Sequence, residues 1–171
     1  MKTEIKNLGI LNLTSGKLMA TDPCYNNDVW CKKELTSVKP GEWEVAVEIL
    51  DEGEWGKRIS KLSIKHINST VDFNKIEDNG SIGVDAGLAG FFENKPNYDD
   101  NAWSDICDYL FKLGSRTMLI TTPDSPFKCN GVCVSSGYGD GDYALNIIKD
   151  SESKIVYAEI IFIDPDKEDD E

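Results

Sequence analysis

The chain has 171 residues, 40% of them hydrophobic, which suits one globular domain with a sizeable core and excludes a disordered polymer. A formal net charge of −13 leaves no excess of lysine and arginine to neutralise phosphates, so non-specific nucleic-acid binding and attraction to anionic membranes are excluded. Cations, basic protein partners and imitation of a nucleic acid stay open, beside acidity that serves solubility alone.

Residues 1–8 are polar and charged and lack the pattern of a secretory leader. Residues 8–13 and 17–20 read as two short strands around Thr14-Ser15-Gly16, a hairpin. Thr21-Asp22-Pro23 ends the second, because proline removes a donor and holds the residue before it extended. Asp22 is either a turn residue or a site carboxylate. Residues 24–33 are a loop or a short helix. Lys39-Pro40-Gly41 is a turn. After it Trp43, Val45, Val47 and Ile49 alternate with Glu44, Ala46 and Glu48, the pattern of an antiparallel strand with one wet face. Residues 51–56 lead round to a partner strand, where Leu62, Ile64 and His66 oppose Lys61, Ser63 and Lys65. His66 is the single histidine and has no nucleophile beside it, so it is expected as a hydrogen-bonded core residue.

Glu77-Asp78-Asn79-Gly80 reads as another turn. Ile82-Gly83-Val84 reads as a buried strand that delivers Asp85 into the bend at Ala86-Gly87. A carboxylate there either serves metal or phosphate chemistry or satisfies local backbone N–H groups. Residues 97–101 offer an N-cap, and over 102–113 the period becomes that of a helix. Trp103, Ile106, Cys107, Leu110 and Leu113 fall on one stripe, with Gly114 to end it, so Cys107 is expected in the core. Asp105 and Asp108 mark the wet side.

Strands follow at 118–121 and 131–135, and then the densest stretch of the chain, Ser135-Ser136-Gly137-Tyr138-Gly139-Asp140-Gly141-Asp142-Tyr143. Glycine is spent where the backbone needs positive φ or close approach. The stretch is either a hairpin turn or a site, in which backbone N–H groups form a concavity and Asp140 and Asp142 add charge. Residues 144–149 and 154–163 complete the strands, the last apolar on both faces and therefore central. A single domain of residues 1–163 is expected, with an acidic tail at 164–171. The five cysteines, Cys24, Cys31, Cys107, Cys129 and Cys133, are odd in number and fit free thiols in a reducing cytoplasm. Cys129 and Cys133 lack the usual zinc spacing.

These elements make a mainly β, α+β fold, an antiparallel β-sandwich or curved sheet with one packed helix. The glycine patterns match neither a P-loop nor a dinucleotide fingerprint. Asp140 does not open an EF-hand, because Ala144 and Ile148 stand where oxygen ligands are needed.

Gly16-Lys17-Leu18 leading to Thr21-Asp22-Pro23, Pro40-Gly41 before the alternating strand, Val84-Asp85-Ala86-Gly87, and Ser136 to Tyr143 stand in an order, from Leu8 to Phe162, that resembles the bacterial domain-of-unknown-function family 4241. The resemblance implies a compact bacterial or phage-borne domain and carries over no activity and no catalytic residue. It draws attention to Asp22, Asp85 and Asp140, one in each of three bends. Brought together, they would bind a hard cation or a basic group of a partner.

Two functions compete. The first is a non-catalytic binding or interaction protein, immunity- or inhibitor-like, with no cofactor, a protein partner, and Trp30, Trp55 or Tyr138 as anchors. The second is a metal-assisted hydrolase of a small or phosphorylated substrate that uses Asp22, Asp85, Asp140 and Asp142, with Mg²⁺ or Ca²⁺ held by Asp85 and Asp140. Asp22, Asp85, Ser136, Tyr138, Asp140 and Asp142 are the candidate ligand-binding residues. A third reading is an acidic mimic of nucleic acid, which needs the charges as a stripe on one face. The first is preferred, because the chain shows no nucleophile–base pair.

Overall fold

The computed structural model describes residues 2–114 and 116–166. In chain order the elements are β1 (Lys2–Leu13), β2 (Leu18–Thr21), β3 (Lys33–Leu35), β4 (Gly41–Asp51), β5 (Lys57–His66), β6 (Glu77–Val84), β7 (Leu88–Glu93), α1 (Asp100–Leu113), β8 (Met118–Thr121), β9 (Asn130–Ser135), β10 (Gly141–Lys149) and β11 (Ile155–Ile161). They form two antiparallel sheets, ordered β1-β4-β5-β11-β10-β6 and β3-β2-β7-β9-β8. The fold is the mainly β sandwich with one helix that the patterning implies. No helix among the described residues is long and apolar enough to cross a membrane.

Period-two alternation builds the core. Trp43, Val45, Val47 and Ile49 of β4 all point between the sheets and are buried, as are Leu62 and Ile64 of β5 beside them. Phe91, Val132 and Val134 meet them from the second sheet. Each such side chain contributes about 1.5–3 kcal/mol by leaving water. β11 lies inside the larger sheet between β5 and β10, and both its faces are covered. Ala158 and Ile160 face the main core, while Val156 and Tyr157 face a smaller cluster with Val71. A strand covered on both faces has no wet side to mark with polar residues, which is why its sequence is apolar except for Glu159, whose buried carboxylate is held by Lys61 and the Tyr157 hydroxyl.

α1 starts at Asp99, whose side chain accepts the Ala102 N–H at 2.8 Å. It packs on the outer face of the second sheet through Trp103, Ile106, Tyr109 and Leu110, against Phe92, Phe127 and Cys133. Cys107 is exposed, contrary to the core position expected from its stripe, and Leu113 is exposed as well. The helix is rolled so that Tyr109 shares the contact, and this narrows the buried face on the Cys107 side.

Several turns differ from expectation. Thr14-Ser15-Gly16 is not a hairpin: β1 pairs with β4, β2 pairs with β3 and β7, and the bend crosses from one sheet to the other. The buried Glu93 caps this corner, its Oε2 accepting the Thr14 and Ser15 N–H groups at 2.9 and 3.0 Å. Residues 77–80 are not a free turn but the start of β6, with a register shift opposite Ala144 and Asn146 and the Gly80 N–H bonded to Asp78 Oδ1 at 2.7 Å. The glycine-rich stretch is not a hairpin either. β9 pairs with β7 and β8, β10 pairs with β11 and β6, and the bend carries the chain between sheets. Residues 24–32 form a loop, without a helix. Of the acidic tail, residues 167–171 lie outside the described residues.

Candidate functional site

Asp22 follows the last residue of β2 and is completely buried. Its Oδ1 accepts the Cys24 N–H at 2.8 Å. Its Oδ2 accepts the N–H groups of Asp85 and Ala86 at 2.7 and 2.6 Å. A buried carboxylate is tolerable when its lone pairs meet fixed donors, and here three backbone N–H groups supply them. Asp22 is thus both a local turn residue and a clamp on the β6–β7 crossover. Of the two alternatives for Asp85, the one in which its carboxylate satisfies backbone N–H groups is reversed. Its N–H is held, and its own carboxylate is exposed. Burial, and after it the Asp22 carboxylate, pushes the neighbouring Cys24 thiol up to about 12, so it stays protonated at neutral pH.

The glycine bend lies against this corner. The Ser136 N–H donates to Gly87 O at 3.0 Å, and the Ser136 hydroxyl donates to Gly139 O at 2.8 Å. The Tyr143 hydroxyl reaches the same Gly139 carbonyl at 2.5 Å. Ser136 is buried and its hydroxyl is committed to closing the bend, which removes it as a ligand contact. Gly137 sits at φ 58, and a Cβ on it would stand 3.0 Å from the Cβ of Phe162, so close packing as well as backbone conformation requires glycine there. Asp140 and Asp142 are exposed on either side of Gly141, which pairs with Val84. Register therefore sets the two residues across from the end of β6 that leads into Asp85. Among the described residues, however, no group of three or more His, Cys, Asp or Glu side chains could hold a metal ion.

Tyr138 turns the other way, toward the β4–β5 turn. Its hydroxyl donates to Glu52 Oε1, and the Arg58 guanidinium lies 5.5 Å from its ring centre. Tyr138 is 62% exposed, and Trp55, in the same turn as Glu52, is 79% exposed. Beside them opens a cleft of about 390 Å³ lined by Lys57, Arg58, Ile59, Arg116, Ser135 and Gly137. The chain carries two arginines among its 18 basic residues, and both line this cleft. Among the described residues the ion pairs are Lys39–Asp150, Lys61–Glu48 and Lys61–Glu159, none of which uses an arginine. The Nε atoms of Arg58 and Arg116 are buried without a hydrogen-bond partner. The Arg116 Nη1 makes one long bond of 3.4 Å to Lys57 O. The patterning of strands and turns gave no reason to single out Arg58 or Arg116. The legible signal was compositional, a scarcity of arginine in a lysine-rich, acidic chain; that the two meet depends on the packing of β5 against the β8–β9 end.

Two other groups, His66 and Lys95, have their bonds filled. His66 Nε2 donates to Pro40 O at 3.0 Å, so Nδ1 accepts from the Ser69 hydroxyl at 2.7 Å, and the ring meets Trp43 edge-on. This is the core histidine expected from the sequence. A second cleft of about 360 Å³ is lined by Lys17, Lys32, Lys95 and Glu34 among others. The Lys95 ammonium is buried and donates to Tyr25 O, Asn27 Oδ1 and Pro96 O at 2.9, 3.3 and 3.1 Å. Those bonds tie down the loop at residues 24–27, and burial pulls the Lys95 pKa below its ordinary value. Compared with models of protein families, with curated proteins and with solved structures, the chain gives no match.

Proposed function

We propose that this chain is a non-catalytic binding protein whose recognition surface is the corner formed by the β4–β5 turn, the glycine bend and the arginine cleft. The observation that carries the reading is the grouping of exposed Trp55 and Tyr138 with Arg58. Tryptophan, tyrosine and arginine dominate binding hot spots, because they combine large apolar area with directed polar contacts. Several groups that a nucleophilic mechanism would use are otherwise employed. Ser136 closes a bend, His66 sits in the core, and burial raises the pKa of the Cys24, Cys129 and Cys133 thiols. The resemblance to family 4241 supplies the bacterial or phage-borne setting, and five unpaired cysteines fit a reducing cytoplasm. The occupant is taken to be a protein, immunity- or inhibitor-like in mode.

Affinity capture from the source cytoplasm with the purified chain tests this, with Trp55→Ala and Trp30→Ala run alongside wild type. Trp30 is 91% exposed but stands on the loop next to Cys31, whose carbonyl bonds the Gly83 N–H. A protein held by wild type and Trp30→Ala and lost by Trp55→Ala is expected. Equal retention by Trp55→Ala, or no specific protein with wild type, would count against the corner.

A further inference from the structure

We propose that the cleft between Arg58 and Arg116 is an oxoanion pocket, which receives one carboxylate or phosphate group of the ligand that docks on the Trp55–Tyr138 corner. What carries the anion rests on the docking reading above; the pocket itself rests on the two arginines.

A surplus of acid makes unpaired arginine unusual here. The chain has 31 acidic and 18 basic residues, yet among the described residues neither arginine forms an ion pair with a carboxylate. Guanidinium stays charged at any accessible pH and offers donors in a planar fork that matches two oxygens of one carboxylate or phosphate. Both Nε–H groups are buried without an acceptor, an arrangement that costs free energy unless an acceptor arrives. A third donor is at hand. The Ser135 Oγ accepts the Thr117 N–H at 2.9 Å, which fixes the hydroxyl oxygen and leaves its hydrogen to turn into the cleft. Lys57 adds positive charge at the rim.

The size and the overall field narrow the ligand further. A cleft of about 390 Å³ is at the lower end of the range of small-ligand sites, roughly 300–1,000 Å³, and admits an anionic group together with a few atoms of its carrier. With a net charge of −13, the molecule as a whole repels polyanions, so selection has to act at short range on a single group. The carrier that fits is neutral or basic overall and presents one oxoanion.

Because the chain has two arginines, the Nε–H region of a ¹⁵N-correlated NMR spectrum contains two signals, assigned with Arg58→Lys and Arg116→Lys. Sodium phosphate and sodium acetate would each be titrated against sodium chloride at matched ionic strength and mildly acidic pH. Saturable movement of both signals with phosphate or acetate, and not with chloride, is the expected result. The anion that saturates at the lower concentration identifies the source as phosphate or carboxylate. In Arg116→Lys the Arg58 signal should need roughly tenfold more anion, the loss expected from one charge-assisted fork. Movement that is linear and equal in all three salts, or no movement, would overturn the pocket. Should Arg58→Lys fail to fold, Arg116→Lys carries the test alone, since Arg116 precedes β8 and lies outside the strands. Trp55→Ala should leave the titration unchanged. Failed titration therefore removes the pocket and leaves the docking reading standing, whereas failed capture with a saturating titration removes only the docking reading.

Discussion

The Asp22 corner and the arginine cleft both adjoin the glycine bend, and they use charge in opposite ways. At the corner, a completely buried carboxylate holds three backbone N–H groups and joins the end of β2 to the β6–β7 crossover. At the cleft, two partly exposed guanidinium groups keep buried Nε–H donors without acceptors. A charged group whose bonds are filled by its own backbone is part of the scaffold. One whose bonds are unfilled has capacity left for a ligand. By that measure Asp22, Ser136 and Glu93 belong to the architecture, and Arg58 and Arg116 to the proposed recognition surface.

The contrast is sharpest in stability. Asp22→Ala would leave the N–H groups of Cys24, Asp85 and Ala86 without their acceptor and open a cavity at a buried site, at a combined cost of about 3 kcal/mol or more. A melting temperature lower by roughly 10 °C or more is expected for a chain of this size. A thermal melt within a degree or two of wild type would show that Asp22 is no clamp. Stability should also depend on alkaline pH, through thiols and phenols whose pKa burial raises. Burial first, and nearby ionisable groups after it, raise Cys24 and Tyr25 to about 12 from 9.0 and 10.0; Cys129, Cys133, Tyr98, Tyr143 and Tyr157 also move up. The folded chain keeps these protons after the unfolded chain has lost them. Their stabilisation is complete below pH 9 and falls as pH rises toward 12. The lowered Lys95 pKa acts in the opposite sense and is outnumbered. Melting temperature against pH should be level from neutrality to 9 and then decline, and a rise across that window would contradict the assignment.

Gly137→Ala places a side chain at φ 58 and 3.0 Å from Phe162, at a cost of about 1–2 kcal/mol or more, read from denaturant midpoints. It should also weaken anion binding, because Gly137 lines the cleft. Unchanged midpoints would mean that the bend can shift. Arg116→Ala, in contrast, loses a single long bond and one positive charge from a cleft of like charges, so stability should change by no more than about 0.5 kcal/mol. A large loss would make Arg116 a structural residue and blunt the comparison. The smallest effect is expected at Asp140. Wild type and Asp140→Asn should melt alike with EDTA, Mg²⁺ or Ca²⁺. A rise in wild type alone would revive Asp85 and Asp140 as a cation site and the hydrolase with it.

Much of the fold is legible along the chain, because burial imposes a period that the residues themselves record. Trp43 to Ile49 alternate since one face of β4 meets the core, and residues 155–161 are apolar but for the paired Glu159 since β11 is covered twice. His66 could be placed in the core for the same reason. Connectivity was less legible. Thr14 to Gly16 and Gly137 to Gly141 have the composition of hairpin turns, but a crossover between sheets demands the same positive φ and the same local acceptors. Cys107 shows the limit of helical stripes, since a change of roll exchanged it for Tyr109.

The site divides in the same way. Sequence by itself determined the strand periods, the acidity, the single core histidine and the nearness of Asp85 to a bend, because each follows from local pattern or composition. Tertiary structure decided that Asp22 would be consumed by backbone N–H groups from the β6–β7 crossover, that Ser136 would close its own bend, and that Arg58 and Arg116 would face one cleft. Those outcomes depend on which hydrogen-bonding groups distant segments bring within about 3 Å of one another, a distance that no local period encodes.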